Sequence, residues 1–173
     1  MLKSAVKKLI RDAAFHNYST AKSAAVLFDA SKQQELSAVR KYIKELENKG
    51  LKVDALGYEN AKEISDFNQA HANIIYISNK ELNWYLKPNS EDALAFMEKP
   101  FDILIDLSTE TEFSIQYLVA LSKAQFKVGC VKTAKNPKEK EINYYDFMLQ
   151  LNERKELSFL LKQLEHYLGL IKK

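Results

Sequence analysis

SAAVLFDASKQQELSAVRKYIKELENKGLKVDAL, residues 23–56, decides the fold. It opens on a short apolar run, Ser23 to Phe28, fit for a buried strand, and breaks at Asp29-Ala30-Ser31. Apolar residues then recur at helical spacing: Leu36, Val39, Tyr42, Ile43 and Leu46 lie on one face of a helix running from Lys32 to Lys49. Ser31 is the expected N-cap and Gly50 the expected stop, since glycine takes up the left-handed turn that ends many helices. Leu51 to Leu56 is a second strand. Strand, helix and strand at this spacing form a βαβ unit with a right-handed parallel crossover.

Downstream, the pattern repeats with variations. A polar stretch from Gly57 to Ala72 holds room for a short helix, and Asn73 to Ser78 predicts a third strand. Lys80 to Pro88 is an aromatic connector, and Ser90 caps a helix with Glu91 and Asp92 in its first turn. Phe101 to Ser108 is the most apolar strand, followed by a helix from Glu112 to Ala124 and a strand from Phe126 to Val131. Lys132 to Glu141 reads as a charged, solvated loop, Tyr144 to Leu149 as a sixth strand, and Lys155 to Leu170 as a closing helix. The fold class is therefore α/β: a three-layer Rossmann-like domain over residues 18–173 with a mostly parallel sheet of five or six strands.

Upstream, Leu2, Val6, Leu9, Ile10 and Ala13 alternate with Lys3, Lys7, Lys8 and Arg11. This spacing predicts a basic amphipathic helix over residues 1–17. From Met1 to Lys22 five cations face Asp12 alone, although the whole chain carries only +3. Such an arm suits a protein partner or a second copy, with nucleic acid as a weaker expectation. Equally, its apolar stripe could dock on its own domain. No apolar run has the roughly 20 residues needed to span a bilayer, charged residues interrupt any signal-like stretch, and one cysteine, Cys130, forms no internal disulfide. A cytoplasmic protein is expected.

The chemistry-bearing signals are sparse. None of the four glycines lies in the turn after the first strand, where dinucleotide and phosphate loops need them, so no nucleotide cofactor is expected. His16, His71 and His166 stand apart, and no metal site is expected. Asp29 and Asp106 end strands that would be neighbours across the switch point of the sheet, with Ser31, Ser108 and Thr109 beside them. They suit an anionic or sugar-like metabolite, or a general acid–base or Mg²⁺ role. The plainer reading has them capping helices and bonding loop amides. Asn83 and Trp84, flanked by Lys80 and Lys87, suit stacking on a base or sugar; the alternative is that Trp84 covers an open sheet edge.

Several stretches carry a resemblance to an uncharacterised bacterial family, a domain of unknown function in Bacteroidetes. They are Ala21 to Ser23, Val26 to Ala30, Lys80 to Trp84 with Lys87-Pro88, Phe101 to Ser108, Ala120 to Gly129, and Gln163 to Leu168. The family implies no activity. Phe101 to Leu107 and Phe126 to Gly129 also look like the N-terminal half of heptosyltransferase-type glycosyltransferases, where the donor sits on a second domain. That likeness implies a scaffold and argues against transferase activity. The function expected first is a non-catalytic interaction or regulatory domain acting through Lys3, Lys7, Lys8 and Arg11. A metabolite binder or enzyme at the strand ends comes second, and RNA or ribosome association through the basic helix third.

Overall fold

The computed structural model describes residues 2–69, 74–132 and 143–170. Its sheet holds six strands: β1 (Ser23–Asp29), β2 (Lys52–Tyr58), β3 (Ile75–Ile77), β4 (Ile103–Asp106), β5 (Phe126–Cys130) and β6 (Phe147–Leu149). Their order is β3-β2-β1-β4-β5-β6, and every neighbouring pair is parallel. β1 and β4 are central in the sheet, and Ala24 to Phe28 and Ile103 to Asp106 are shut from solvent on both faces. This is why they read as continuous apolar runs without alternation.

Helices α2 (Leu36–Asn48) and α6 (Leu157–Leu170) cover one face, and α4 (Glu91–Glu98) and α5 (Phe113–Leu121) the other. α1 (Leu2–Lys7) lies against α5, and α3 (Asp66–Gln69) is a single turn. The βαβ unit forms as its pattern predicts. Leu36, Val39, Tyr42 and Leu46 are buried, and Gly50 closes the helix with φ +94. Burying side chains of this size stabilises the domain by about 1.5–3 kcal/mol each.

Several expectations need correction. The N-terminal helix stops at Lys7, and residues 9–17 run without helix. Tertiary bonds override the amphipathic spacing there. Ala14 donates to the Gln125 carbonyl, and the Arg11 guanidinium donates to the carbonyls of Ala124 and Gln125 and pairs with both oxygens of Asp146. Ser31 does not cap α2. A 3-10 turn, Gln33–Glu35, precedes the helix, and the Ser31 hydroxyl instead accepts the Asn60 N–H at 2.8 Å. Ser90 does cap α4, accepting the Ala93 N–H. The sixth strand begins at Phe147, leaving Tyr144 and Tyr145 in the approach to it. Residues 133–142, most of the expected charged loop, and His71 lie outside the described residues.

One buried cation joins two layers. Lys127, on β5 and 2% exposed, donates its ammonium to the carbonyls of Val119 (2.7 Å) and Ala120 (3.3 Å), in the last turn of α5. Those carbonyls have no partner within the helix, so the lysine caps it from the neighbouring strand. Burial, with Arg11 adding to it against the opposing pull of Asp146, pushes Lys127 down to about 8. Above that pH the folded protein has released a proton that the unfolded chain still holds, so stability rises with pH until the unfolded lysine titrates. Urea titrations should therefore show a gain on the order of 1 kcal/mol between pH 7 and pH 9. Above pH 9 Cys130, raised by burial to about 11, works in the opposite direction. In Lys127→Met the rise should vanish; an unchanged rise would mean that another group causes it.

Candidate functional site

Asp106 is the last residue of β4, at the carboxyl end of the sheet where open α/β folds place their ligands. It is fully buried. Its Oδ1 accepts the Ser108 N–H at 2.8 Å and the Ser108 hydroxyl at 2.6 Å. Its Oδ2 accepts the Lys132 ammonium and the Tyr145 hydroxyl, both at 2.5 Å. Lys132 closes the set by donating also to Ser108 Oγ (2.7 Å) and to Tyr145 OH (3.0 Å). Its three N–H groups are thereby all used, and its side chain is 7% exposed.

The surrounding backbone explains how the four residues meet. Leu107 N–H bonds the Leu27 carbonyl, extending the pairing of β1 with β4 one residue beyond Asp106. Lys132 follows β5 by two residues, and Tyr145 precedes β6, so the ends of neighbouring strands converge on one carboxylate. Gly129 makes the slot for the tyrosine. A Cβ there would lie 2.3 Å from the Tyr145 ring. Gly129→Ala should accordingly cost about 1–3 kcal/mol in chemical denaturation, since the ring has to give way within a packed interior. A neutral result would show that the ring moves freely.

Burial first, then the Asp106 charge and hydrogen bond, hold the Tyr145 hydroxyl well above its ordinary range. Cys130 donates its thiol to the Ser108 carbonyl. Each candidate nucleophile or base here is bound to another protein group; Asp106, Ser108 and Cys130 are buried, while Lys132 and Tyr145 are partly buried. The cluster joins β4, β5 and the approach to β6. In place of a free carboxylate awaiting a metal, Asp106 carries an ammonium, two hydroxyls and an amide. Among the described residues no group of three or more His, Cys, Asp or Glu is placed to hold a metal ion.

The switch point itself lies between β1 and β4. Asp29 Oδ1 accepts the Ser31 N–H at 3.0 Å. Lys32 reaches across the gap, its ammonium 3.3 Å from Thr109 Oγ1 and 3.2 Å from Glu110 Oε1. The structure thus places Asp106 with Ser108, and Thr109 with Lys32, while Asp29 and Ser31 serve their own turn and Asn60. Asp106 does bond a loop amide, that of Ser108, but holds an ammonium and two hydroxyls as well. One expectation fails here: Lys132, expected in a solvated loop, is a partner of that carboxylate with its side chain 7% exposed. Lys132 and Tyr145 were missed because no local motif joins them to Asp106.

Asn83 and Trp84 stand on a different feature. The Asn83 side-chain oxygen accepts the N–H groups of Tyr85 and Lys87, and its own N–H bonds the Lys87 carbonyl. Leu82 bridges Pro88 at the base of this knuckle, and the Ser114 hydroxyl anchors it to the start of α5 through the Leu86 carbonyl. Leu86 adopts φ +62, a left-handed conformation rare for a branched apolar residue. Trp84 is 81% exposed at the tip, with Tyr85, Leu86 and Phe113 exposed beside it. It covers no sheet edge. At the N-terminus, Lys7 and Lys8 are exposed and Arg11 is spent on internal bonds, while Lys3 belongs to α1.

The chain belongs to DUF6913, a family of unknown function whose sequence profile matches residues 1–171. No curated protein matches it.

Proposed function

We propose that this chain is a non-catalytic recognition domain whose partner is a protein with an apolar recess that receives the Trp84 knuckle. The observation that carries this is a tryptophan 81% exposed on a turn tied down at three places. Leu86 holds a backbone conformation that costs on the order of 1 kcal/mol, and strain of this kind persists where surrounding structure imposes it. Small-molecule sites are concave, whereas this turn projects outward. Tryptophan and tyrosine are the residues that most often anchor protein interfaces.

The competing readings have less support. A metabolite at Asp29, Ser31, Asp106, Ser108 and Thr109 would have to displace Lys32 and break a satisfied buried network. RNA association through the arm would rest on Lys3, Lys7 and Lys8, since Arg11 is committed to internal bonds. We treat residues 18–173 as one domain with the N-terminal segment packed on it. The free, buried Cys130 suits a reducing cytoplasm, and no helix among the described residues is long and apolar enough to cross a membrane. We read the heptosyltransferase likeness as one of scaffold, and a Bacteroidetes source as the setting.

Size analysis of native extracts tests the proposal. The wild-type chain should migrate well above its 19.9 kDa, and Trp84→Ala with Phe113→Ala should return it to the monomer. The purified chain alone should be monomeric. A purified dimer that dissociates in the variant would make the partner a second copy. An unchanged extract profile would refute the proposal.

A further inference from the structure

We infer that Ser114 and Tyr58 are positioning residues for Trp84: a hydrogen-bond relay links the exposed Asn79, at the carboxyl end of the sheet, to the Leu86 carbonyl of the knuckle. The inference rests on the reading of the knuckle as the recognition surface and names what sets its shape. The bonds that Asn83 makes to Tyr85, Leu86 and Lys87 lie within the turn. They shape the turn but do not orient it on the domain. The bond from the Ser114 hydroxyl to the Leu86 carbonyl, 3.3 Å, does, because Ser114 stands at the start of α5. Ser114 is 2% exposed and Tyr58 3%, so both side chains belong to the interior.

The direction of each bond follows from what its partners can do. Tyr58, the last residue of β2, has its hydroxyl 2.6 Å from Asn79 Oδ1, an oxygen that only accepts. The phenol proton is therefore given to Asn79. Tyr58 is also hydrogen-bonded to Ser114, and with its own proton spent it takes part there as the acceptor. Burial raises Tyr58, the Ser114 bond opposes the rise, and the carboxylates of Glu112 and Asp29 add to it, so the phenol keeps its proton at neutral pH. On the far side the Asn79 amide donates to Asn60 Oδ1 at 3.2 Å, and the Asn60 N–H donates to Ser31 Oγ, which carries the relay to the turn after β1.

Ser114 thus has one proton and two acceptors, the Tyr58 oxygen and the Leu86 carbonyl. Whatever Tyr58 takes of that proton is withheld from Leu86. Leu86 holds φ +62, a conformation that persists while the surroundings impose it, so the share reaching its carbonyl governs how firmly the knuckle is held. Packing alone would make every substitution here loosen the turn. A shared proton makes removal of the donor and removal of the competing acceptor act in opposite directions.

Time-resolved anisotropy of Trp84, the only tryptophan, in the purified full chain tests the relay. Ser114→Ala should raise the amplitude of the fast local motion of the indole. Tyr58→Phe keeps the ring, frees the Ser114 proton for Leu86, and should lower that amplitude. Asn79→Ala, at an exposed position, lets the Tyr58 hydroxyl turn to Ser114 and should lower it too. In native extracts Ser114→Ala should shrink the large species as a loss of affinity of about fivefold would, the weight of one hydrogen bond. Tyr58→Phe should not shrink it. Changes of the same sign in Ser114→Ala and Tyr58→Phe, or no change in either, would overturn the relay. An extract profile that responds to Trp84→Ala with Phe113→Ala but not to Ser114→Ala would overturn the positioning role. A profile that responds to neither, with the anisotropies as expected, would instead refute the recognition reading and leave the relay standing.

Discussion

Asp106→Ala is expected to lower the free energy of unfolding by about 3–5 kcal/mol, the cost of leaving a buried ammonium without its carboxylate. The Lys132 side chain is 7% exposed, and beside Asp106 it bonds two hydroxyl oxygens, those of Ser108 and Tyr145. Removing Asp106 also strands the Tyr145 hydroxyl and the Ser108 amide, both of which donate to it. For a chain of this length the melting temperature should fall by on the order of 10 °C. Asp106→Leu combined with Lys132→Met should recover much of the loss, because apolar groups of similar volume replace a buried pair with little net penalty. Urea denaturation of the single and double variants measures both effects. A loss below about 1 kcal/mol for Asp106→Ala would mean that the carboxylate is not structural, and would reopen the catalytic reading of the strand ends.

Trp84→Ala is expected to do the reverse. Its side chain is solvated, so stability should stay within about 0.5 kcal/mol of the parent. Partner affinity should fall by about 2 kcal/mol or more, roughly 30-fold, the size of effect seen for anchoring tryptophans. Leu86→Gly separates shape from contact. Glycine accepts φ +62 without strain, so the folded chain should be no less stable, yet the knuckle loses its preset geometry and one apolar contact. Affinity should again drop. Trp84 is the only tryptophan in the chain, so its fluorescence reports on this site alone. A purified partner should shift its emission to the blue and protect it from iodide quenching.

These expectations differ in how much of their basis was legible in the residues. The βαβ unit was legible because its information is local. Leu36, Val39, Tyr42 and Leu46 mark a single helical face, and Gly50 ends it. The apolar run Ile103-Leu104-Ile105 of β4 likewise announced a central parallel strand. The N-terminal helix was over-extended because its cause of failure is distant: Arg11 bonds the Ala124 carbonyl, 113 residues away. Asp106 was visible as a carboxylate at a strand end. Its partners were not, since they lie 26 and 39 residues downstream, Lys132 in a stretch whose charges suggested a solvated loop and Tyr145 in a segment that read as a strand.

Trp84 shows a different limit. An isolated tryptophan near a polar turn has the same sequence signature whether it plugs an edge or projects into water. What decides the matter is the Asn83 side chain folding back onto Tyr85 and Lys87, together with the bond from Ser114 to Leu86. Neither contact leaves a periodic pattern.

The central claim is that the strand-end chemistry is locked inside the domain and recognition occurs at the knuckle. Site-specific photo-crosslinking in the native cell tests it most directly, with a photoreactive residue placed at Trp84 or at Lys41, an exposed position on α2. A single discrete adduct is predicted at position 84, absent at position 41 and lost when Leu86→Gly is added. The partner identified from it should bind the purified chain and quench or shift the Trp84 signal. Equal labelling at both positions, or an adduct indifferent to Leu86→Gly, would contradict the account.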